Sequence, residues 1–177
     1  MTDNMGQKTF ESRHVEKYLG IKKNQLFHWT QTKRLVKPKI EGKGRGGRSK
    51  FDFAGLLNLA LIKELSNFGL ELNAIKDILR GNRMAFRPDS DGFVLDKGRT
   101  PWAIFKKNRK NYIKSGLLLE IVRMKNNYYW VYMSGKQRKN WVEGYLPNEQ
   151  GSLPIAKLVI DVSQLVTELE YKTGIKL

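Results

Sequence analysis

Two groups of side chains within the first fifty residues could act together. One is Lys22-Lys23-Asn24-Gln25 with His28 and Trp29 close behind; the other is Lys43, Arg45, Arg48 and Lys50, set among glycines in the run 41–50. Ammonium and guanidinium groups bind phosphate oxygens, and Asn and Gln amides can both donate to and accept from a base edge. The chemistry on offer is recognition of a polyanion rather than bond breaking. No carboxylate pair stands in a context that would make a general acid and base, so enzyme activity is not expected. The chain has no cysteine, and its only histidines are His14 and His28. Disulfides, thiolate metal sites and iron–sulfur clusters are therefore excluded, and neither metal nor cofactor is expected.

The charge balance points the same way. Lys and Arg number 33 against 17 Asp and Glu in 177 residues, a formal net charge of +16. Residues 1–53 hold thirteen cations against five acids, residues 81–177 hold seventeen against nine, and residues 54–80 balance at three against three. A neutral stretch between two basic ones reads as a packing scaffold, with the binding charge on either side. The run from Lys97 to Lys114 carries seven cations and no acid. Within it Lys106, Lys107, Arg109 and Lys110 form a second candidate polyanion contact. The first ten residues are polar, and no apolar stretch approaches the roughly 20 residues that span a bilayer. The expectation is a soluble, cytoplasmic, nucleoid-associated protein that does not engage a membrane.

These side chains need elements to hold them. Ser12 can cap a short helix through Leu19, closed by Gly20, and a second short helix fits Lys23 to Gln31. Two short helices joined at a glycine make the helix-turn-helix spacing. Leu35 to Ile40 reads as extended, and the glycine-rich basic run after it as a hairpin returning through Phe51 to Phe53. That layout is a winged helix-turn-helix. A Walker-type phosphate loop would need an apolar strand before it and Gly-Lys-Ser/Thr opening a helix, and neither is present. Asp52 can cap a strongly apolar helix from Ala54 to Phe68, followed by another from Leu72 to Leu79. Turn residues mark a linker near 81–92. Beyond it, Thr100-Pro101 starts a helix that runs to Ser115. A hairpin of Leu117–Met124 and Tyr128–Met133 follows, then a strand from Ile155 to Val162 and a last helix capped by Ser163 and ending near Thr173. Tyr128, Tyr129, Trp130 and Tyr132 would give that hairpin an aromatic face, for core packing or for base stacking. The fold class is α+β: a winged helix-turn-helix with a helix pair over 10–80, and a small mixed α/β domain over 93–177.

The segments Val15-Glu16-Lys17-Tyr18-Leu19-Gly20-Ile21, Leu26-Phe27-His28-Trp29 and Leu35-Val36-Lys37-Pro38, the Gly/Arg hairpin, Phe51, and Leu56 through Leu79 with Gly69-Leu70-Glu71-Leu72 together resemble the MerR family of transcription regulators. The resemblance covers about residues 10 to 80. It implies a recognition helix over Lys22 to Gln31 in the major groove, and Arg45, Arg48 and Lys50 on the DNA backbone or in a minor groove. Two departures stand out: Phe27 lies where the family usually has Arg, and the segment before Leu35 is one residue longer than usual. The long dimerisation helix of many members is not apparent after residue 80. The effector cysteines of the metal-sensing members are missing too.

The resulting expectation is a sequence-specific regulator of double-stranded DNA, contacting it through Lys22, Lys23, Asn24, Gln25, His28, Trp29, Lys43, Arg45, Arg48 and Lys50. A homodimer on an inverted repeat follows from the small surface that one module buries, and no small-molecule effector can be named. Of Phe27 and Trp29, one should pack beneath the wing. The alternatives are an excisionase-like architectural factor and an antitoxin-like adaptor whose C-terminal half binds a protein.

Overall fold

The neutral stretch of sequence becomes the hub of the first folded unit. In the computed structural model, which describes residues 8–42, 47–80, 100–107, 109–123, 128–134 and 156–176, helix α3 spans Phe53–Asn67. Leu56, Leu57, Leu59, Leu61, Ile62 and Leu65 are all fully buried, so the helix is enclosed on every side. A helix that is apolar all round can only be an interior element. Asp52 caps it as the sequence implies, accepting a hydrogen bond from the Gly55 amide at 2.8 Å.

Around α3 the chain runs β1 (Phe10–Glu11), α1 (Ser12–Leu19), α2 (Lys23–Phe27) and β2 (Lys50–Phe51), with α4 (Leu72–Arg80) following. Ser12 is the first helical residue of α1 rather than its cap. Glu11 holds the extended cap position, and its amide donates to His14 Nδ1 at 3.1 Å. Gly20 turns the chain out of α1 with φ +65°, a conformation open to glycine at no steric cost. Its amide reaches back to the Glu16 carbonyl at 2.8 Å. From α3, Lys63 Nζ donates to the Leu19 carbonyl at 2.7 Å, fixing the same corner from outside. Leu26 and Trp29 are buried, which seats α2 against the interior.

The segment before Leu35 departs from a regular α-helix. After Phe27 the helix widens into a π-helical turn over His28–Thr32. Lys33 donates to the His28 carbonyl, five residues back, at 2.8 Å, and Leu35 donates to the Trp29 carbonyl at 2.8 Å. A π turn absorbs one residue without breaking the hydrogen-bonded ladder. Trp29 and Thr30 within the turn and Leu35 and Val36 after it are all buried. Thr30 supports the widening, donating its hydroxyl to the Leu26 carbonyl at 2.8 Å.

The chain divides into two compact units, one of Met1–Lys76 with Leu165–Leu177 and the other of Asp77–Gln164. In the first, Lys8 Nζ donates to the Thr173 carbonyl at 3.0 Å. The second has helices α5 (Pro101–Lys107) and α6 (Arg109–Ser115), then strands β3 (Leu117–Arg123), β4 (Tyr128–Ser134) and β5 (Ala156–Asp161), which leads into α7 (Val162–Thr173). The expected helix from 101 to 115 is seen as two stretches on either side of residue 108, which lies outside the described residues. Its start is as expected, the Ala103 amide donating to Thr100 Oγ1 at 3.3 Å. The sheet is antiparallel with order β4-β3-β5, Leu119 lying opposite Tyr132 on one side and Ile160 on the other. Asp161, not Ser163, caps α7, accepting from the Gln164 amide at 3.0 Å. Ser163 instead accepts from the Leu117 amide at 2.7 Å, joining the start of the helix to the central strand.

The central strand also buries Glu120, which forms an ion pair with Lys157 on β5. Desolvation lowers the pKa of that lysine. Trp130 is buried, and burial pushes the Tyr132 hydroxyl above its ordinary pKa. The aromatics at 130 and 132 thus serve packing rather than base stacking. The fold is α+β, with the helix-turn-helix in the first unit.

The enclosure of α3 predicts a large loss of stability when one of its leucines is truncated. Leu61→Ala should destabilise the protein by about 2–5 kcal/mol, read as a lower denaturant midpoint, whereas Gln25→Ala on exposed α2 should leave the midpoint in place.

Candidate nucleic-acid interface

Lys22, Lys23, Asn24 and Gln25 all stand exposed at the start of α2, and His28 is half-buried. Cations at a helix N-terminus oppose the macrodipole, so solvation alone accounts poorly for Lys22 and Lys23 there. Trp29 is the exception among the expected contacts. It is 3% exposed and belongs to the core, where it cannot reach a base edge. Its neighbour Phe27 is 63% exposed instead. Leu26, Trp29 and Thr30 form one buried stripe at helical spacing, and Phe27 falls off it. The stripe was available in the sequence as the i, i+3, i+4 pattern, which would have separated the two aromatics.

The wing is anchored rather than loose. β1 and β2 pair antiparallel, Phe10 opposite Phe51 and Glu11 opposite Lys50. On the other side of β2, Ile40 and Lys50 exchange backbone hydrogen bonds of 3.1 and 2.8 Å. The glycine-rich run therefore leaves and rejoins a short ladder, as a hairpin should. At its base, a Cβ on Gly42 would lie 2.4 Å from the Gly47 carbonyl oxygen, so only glycine allows the two backbones to approach this closely. Lys43 and Arg45, both expected contacts, lie outside the described residues. Arg48 is exposed, and Lys50 is half-buried beside the strand pair.

Glu11 and Arg13 are the residues that sequence reasoning missed. Arg48 Nη1 donates to Glu11 Oε2 at 3.1 Å, and Arg13 Nε lies 3.4 Å from the same oxygen. The hydrogen bond from Arg48 holds the Glu11 carboxyl below its ordinary pKa. Partial burial opposes this, while the charges of Arg13, Arg48 and Lys50 reinforce it. Arg48 and Glu11 are 37 residues apart, and no local pattern pairs them. A surface groove is lined by Lys23 and Phe27 of α2, Gln31 of the π turn, Gly47, Arg48 and Ser49 of the wing, and Arg13 of α1.

Residues 10–82 match the family model described as MerR HTH family regulatory protein. The N-terminal unit carries a MerR-family helix-turn-helix domain. That family is regulatory and DNA-binding, so the chain is a DNA-binding regulator in general terms. The match to the MerR model covers less than half of the chain. Comparison with curated proteins found no match. Among the described residues no helix is long and apolar enough to cross a membrane, and no cluster of three or more His, Cys, Asp or Glu could hold a metal ion. Outside the MerR domain, Lys106, Lys107 and Lys110 are exposed and Arg109 is half-buried, all on α5 and α6 of the second unit.

Two outcomes follow from the wing geometry. Gly42→Ala should force the hairpin base apart and speed amide exchange at Lys50, whose N–H donates to the Ile40 carbonyl. The Glu11–Arg48 tether should be complete above the ordinary ionisation range of a glutamate and be lost as pH falls through the lower value of the folded state. A side-chain NMR titration should place the Glu11 midpoint below that of an ordinary glutamate, and Arg48→Ala should move it back up.

Proposed function

We propose that this protein is a transcription regulator that binds double-stranded DNA sequence-specifically as a homodimer. The observation that carries the reading is a single groove lined by Lys23 and Phe27 of α2 and by Arg48 of the wing, with Lys22, Asn24 and Gln25 exposed on the same short helix. In this reading Asn24 and Gln25 read base edges in the major groove, with Lys22, Lys23 and His28 on flanking phosphates. Arg48, Lys50, Lys43 and Arg45 follow the backbone or enter the adjacent minor groove. Trp29 takes no part in contact. Residues 10–80 act as the DNA-binding domain, working at the nucleoid. Residues 93–177 supply the dimer interface or bind a ligand, and Lys106, Lys107, Arg109 and Lys110 add a second polyanion contact. A single winged module buries little surface, which favours two copies on an inverted repeat.

Selection from genomic DNA followed by footprinting at two salt concentrations tests this. A palindromic site with a steep salt dependence is expected. Arg48→Ala should weaken binding at every site and reduce the slope of log K against log salt by about 0.9, the worth of one phosphate contact. Asn24→Ala or Gln25→Ala should change site preference instead. Retention that ignores sequence would overturn the reading, and a monomer that binds one half-site tightly would remove the dimer.

A further inference from the structure

The exposed ring on α2 is out of place chemically. Phe27 is 63% exposed, while its neighbours along the helix, Leu26 and Trp29, are 4% and 3% exposed. It shares the outward face with Lys23, Asn24 and Gln31, all exposed, and lines the same groove as Arg48. Isolated apolar side chains on a protein surface are ordinary. This one occupies the middle of the surface that the proposed function turns toward the major groove, surrounded by groups suited to phosphates and base edges.

A phenyl ring has no donor or acceptor, so it cannot read a base by hydrogen bonding. The edges of G, A and C in the major groove present donors and acceptors, which lose hydration beneath a ring without replacement. Thymine alone among the four bases presents an apolar group there, its C5 methyl. Resting on the proposed DNA-binding reading, we propose that Phe27 is a specificity-determining residue that packs against the C5 methyl of a thymine in each half-site. Lys23, one turn earlier on the same face, and Arg48 across the groove supply the positive charge that holds the duplex against the ring. The contact adds base preference without adding charge.

The test removes the methyl group alone. In the duplex found by genomic selection, each thymine is replaced in turn by deoxyuridine, which keeps the O4 acceptor and the base pairing. For the wild-type chain, affinity should fall about fourfold at one position in each half-site, the loss expected for one methyl group returned to water. Phe27→Ala should bind the thymine duplex more weakly, show no response to deoxyuridine at that position, and keep the wild-type salt slope. Phe27→Leu, which retains an apolar surface, should keep part of the response. Wild-type indifference to deoxyuridine at every position overturns the inference while leaving DNA recognition intact, provided specific binding and the Arg48 effect persist. A full deoxyuridine response in Phe27→Ala overturns it as well. So does unchanged DNA affinity of that variant, which would mean that the ring serves a protein partner. Absence of specific duplex binding by the wild type overturns both this inference and the reading beneath it.

Discussion

The helix-turn-helix and the wing depend on one constraint, the burial of α3 on all sides. A helix with leucine or isoleucine at 56, 57, 59, 61, 62 and 65 has no face to give to solvent, so other elements must cover each side of it. Phe51, on the returning strand of the wing, is buried as well, and Asp52 passes directly from that strand into the cap of α3. Lys63, a polar residue on the same helix, grips the Leu19 carbonyl at the corner between the two short helices. Neither α1 nor α2 is long enough to be stable in isolation, and their geometry is borrowed from this packing.

Much of this was legible in the sequence because it rests on local rules. The apolar density of 54–80 identifies the scaffold, Gly20 and Asp52 mark ends that the structure keeps, and the order of helix, helix, wing and helix pair agrees with the MerR helix-turn-helix match over 10–82. The errors arise where two residues compete for one position. Glu11 and Ser12, like Asp161 and Ser163, are both able to accept from a helix amide. Which one caps depends on where the preceding strand ends, and that is set by the pairing of Phe10 with Phe51 and of Ile160 with Leu119 across the sheet. Trp29 and Phe27 were ambiguous for a related reason, since two aromatics two residues apart cannot share a face, and only the stripe through Leu26 decides between them. The partnership of Glu11 and Arg48 was beyond reach because it forms only once the wing has been tied to β1.

The same tether qualifies the meaning of the net charge. A surplus of cations gives attraction at long range, but it does not aim any of them. Arg48 is aimed by a carboxylate from another element, and Lys50 by its place in the strand pair. The π turn has a comparable effect on α2. By taking up one residue it lets Trp29 and Leu35 both reach the interior while the face that begins at Lys22 stays exposed.

The hydrogen bond from Lys8 to the carbonyl of Thr173 has a bearing on synthesis. The unit that holds the helix-turn-helix draws on residues from both early and late in the chain, so it closes only after residue 173 has left the ribosome. Until then α1, α2 and the wing can assemble around α3, but the late helix that completes their unit is missing. Long sequence separation of this kind slows closure, since the intervening chain must be brought round before the contact can form. Although α1, α2 and α3 are made before the second unit, the unit that contains them is thus finished only after the strands at 117–134 and 156–161 have been made.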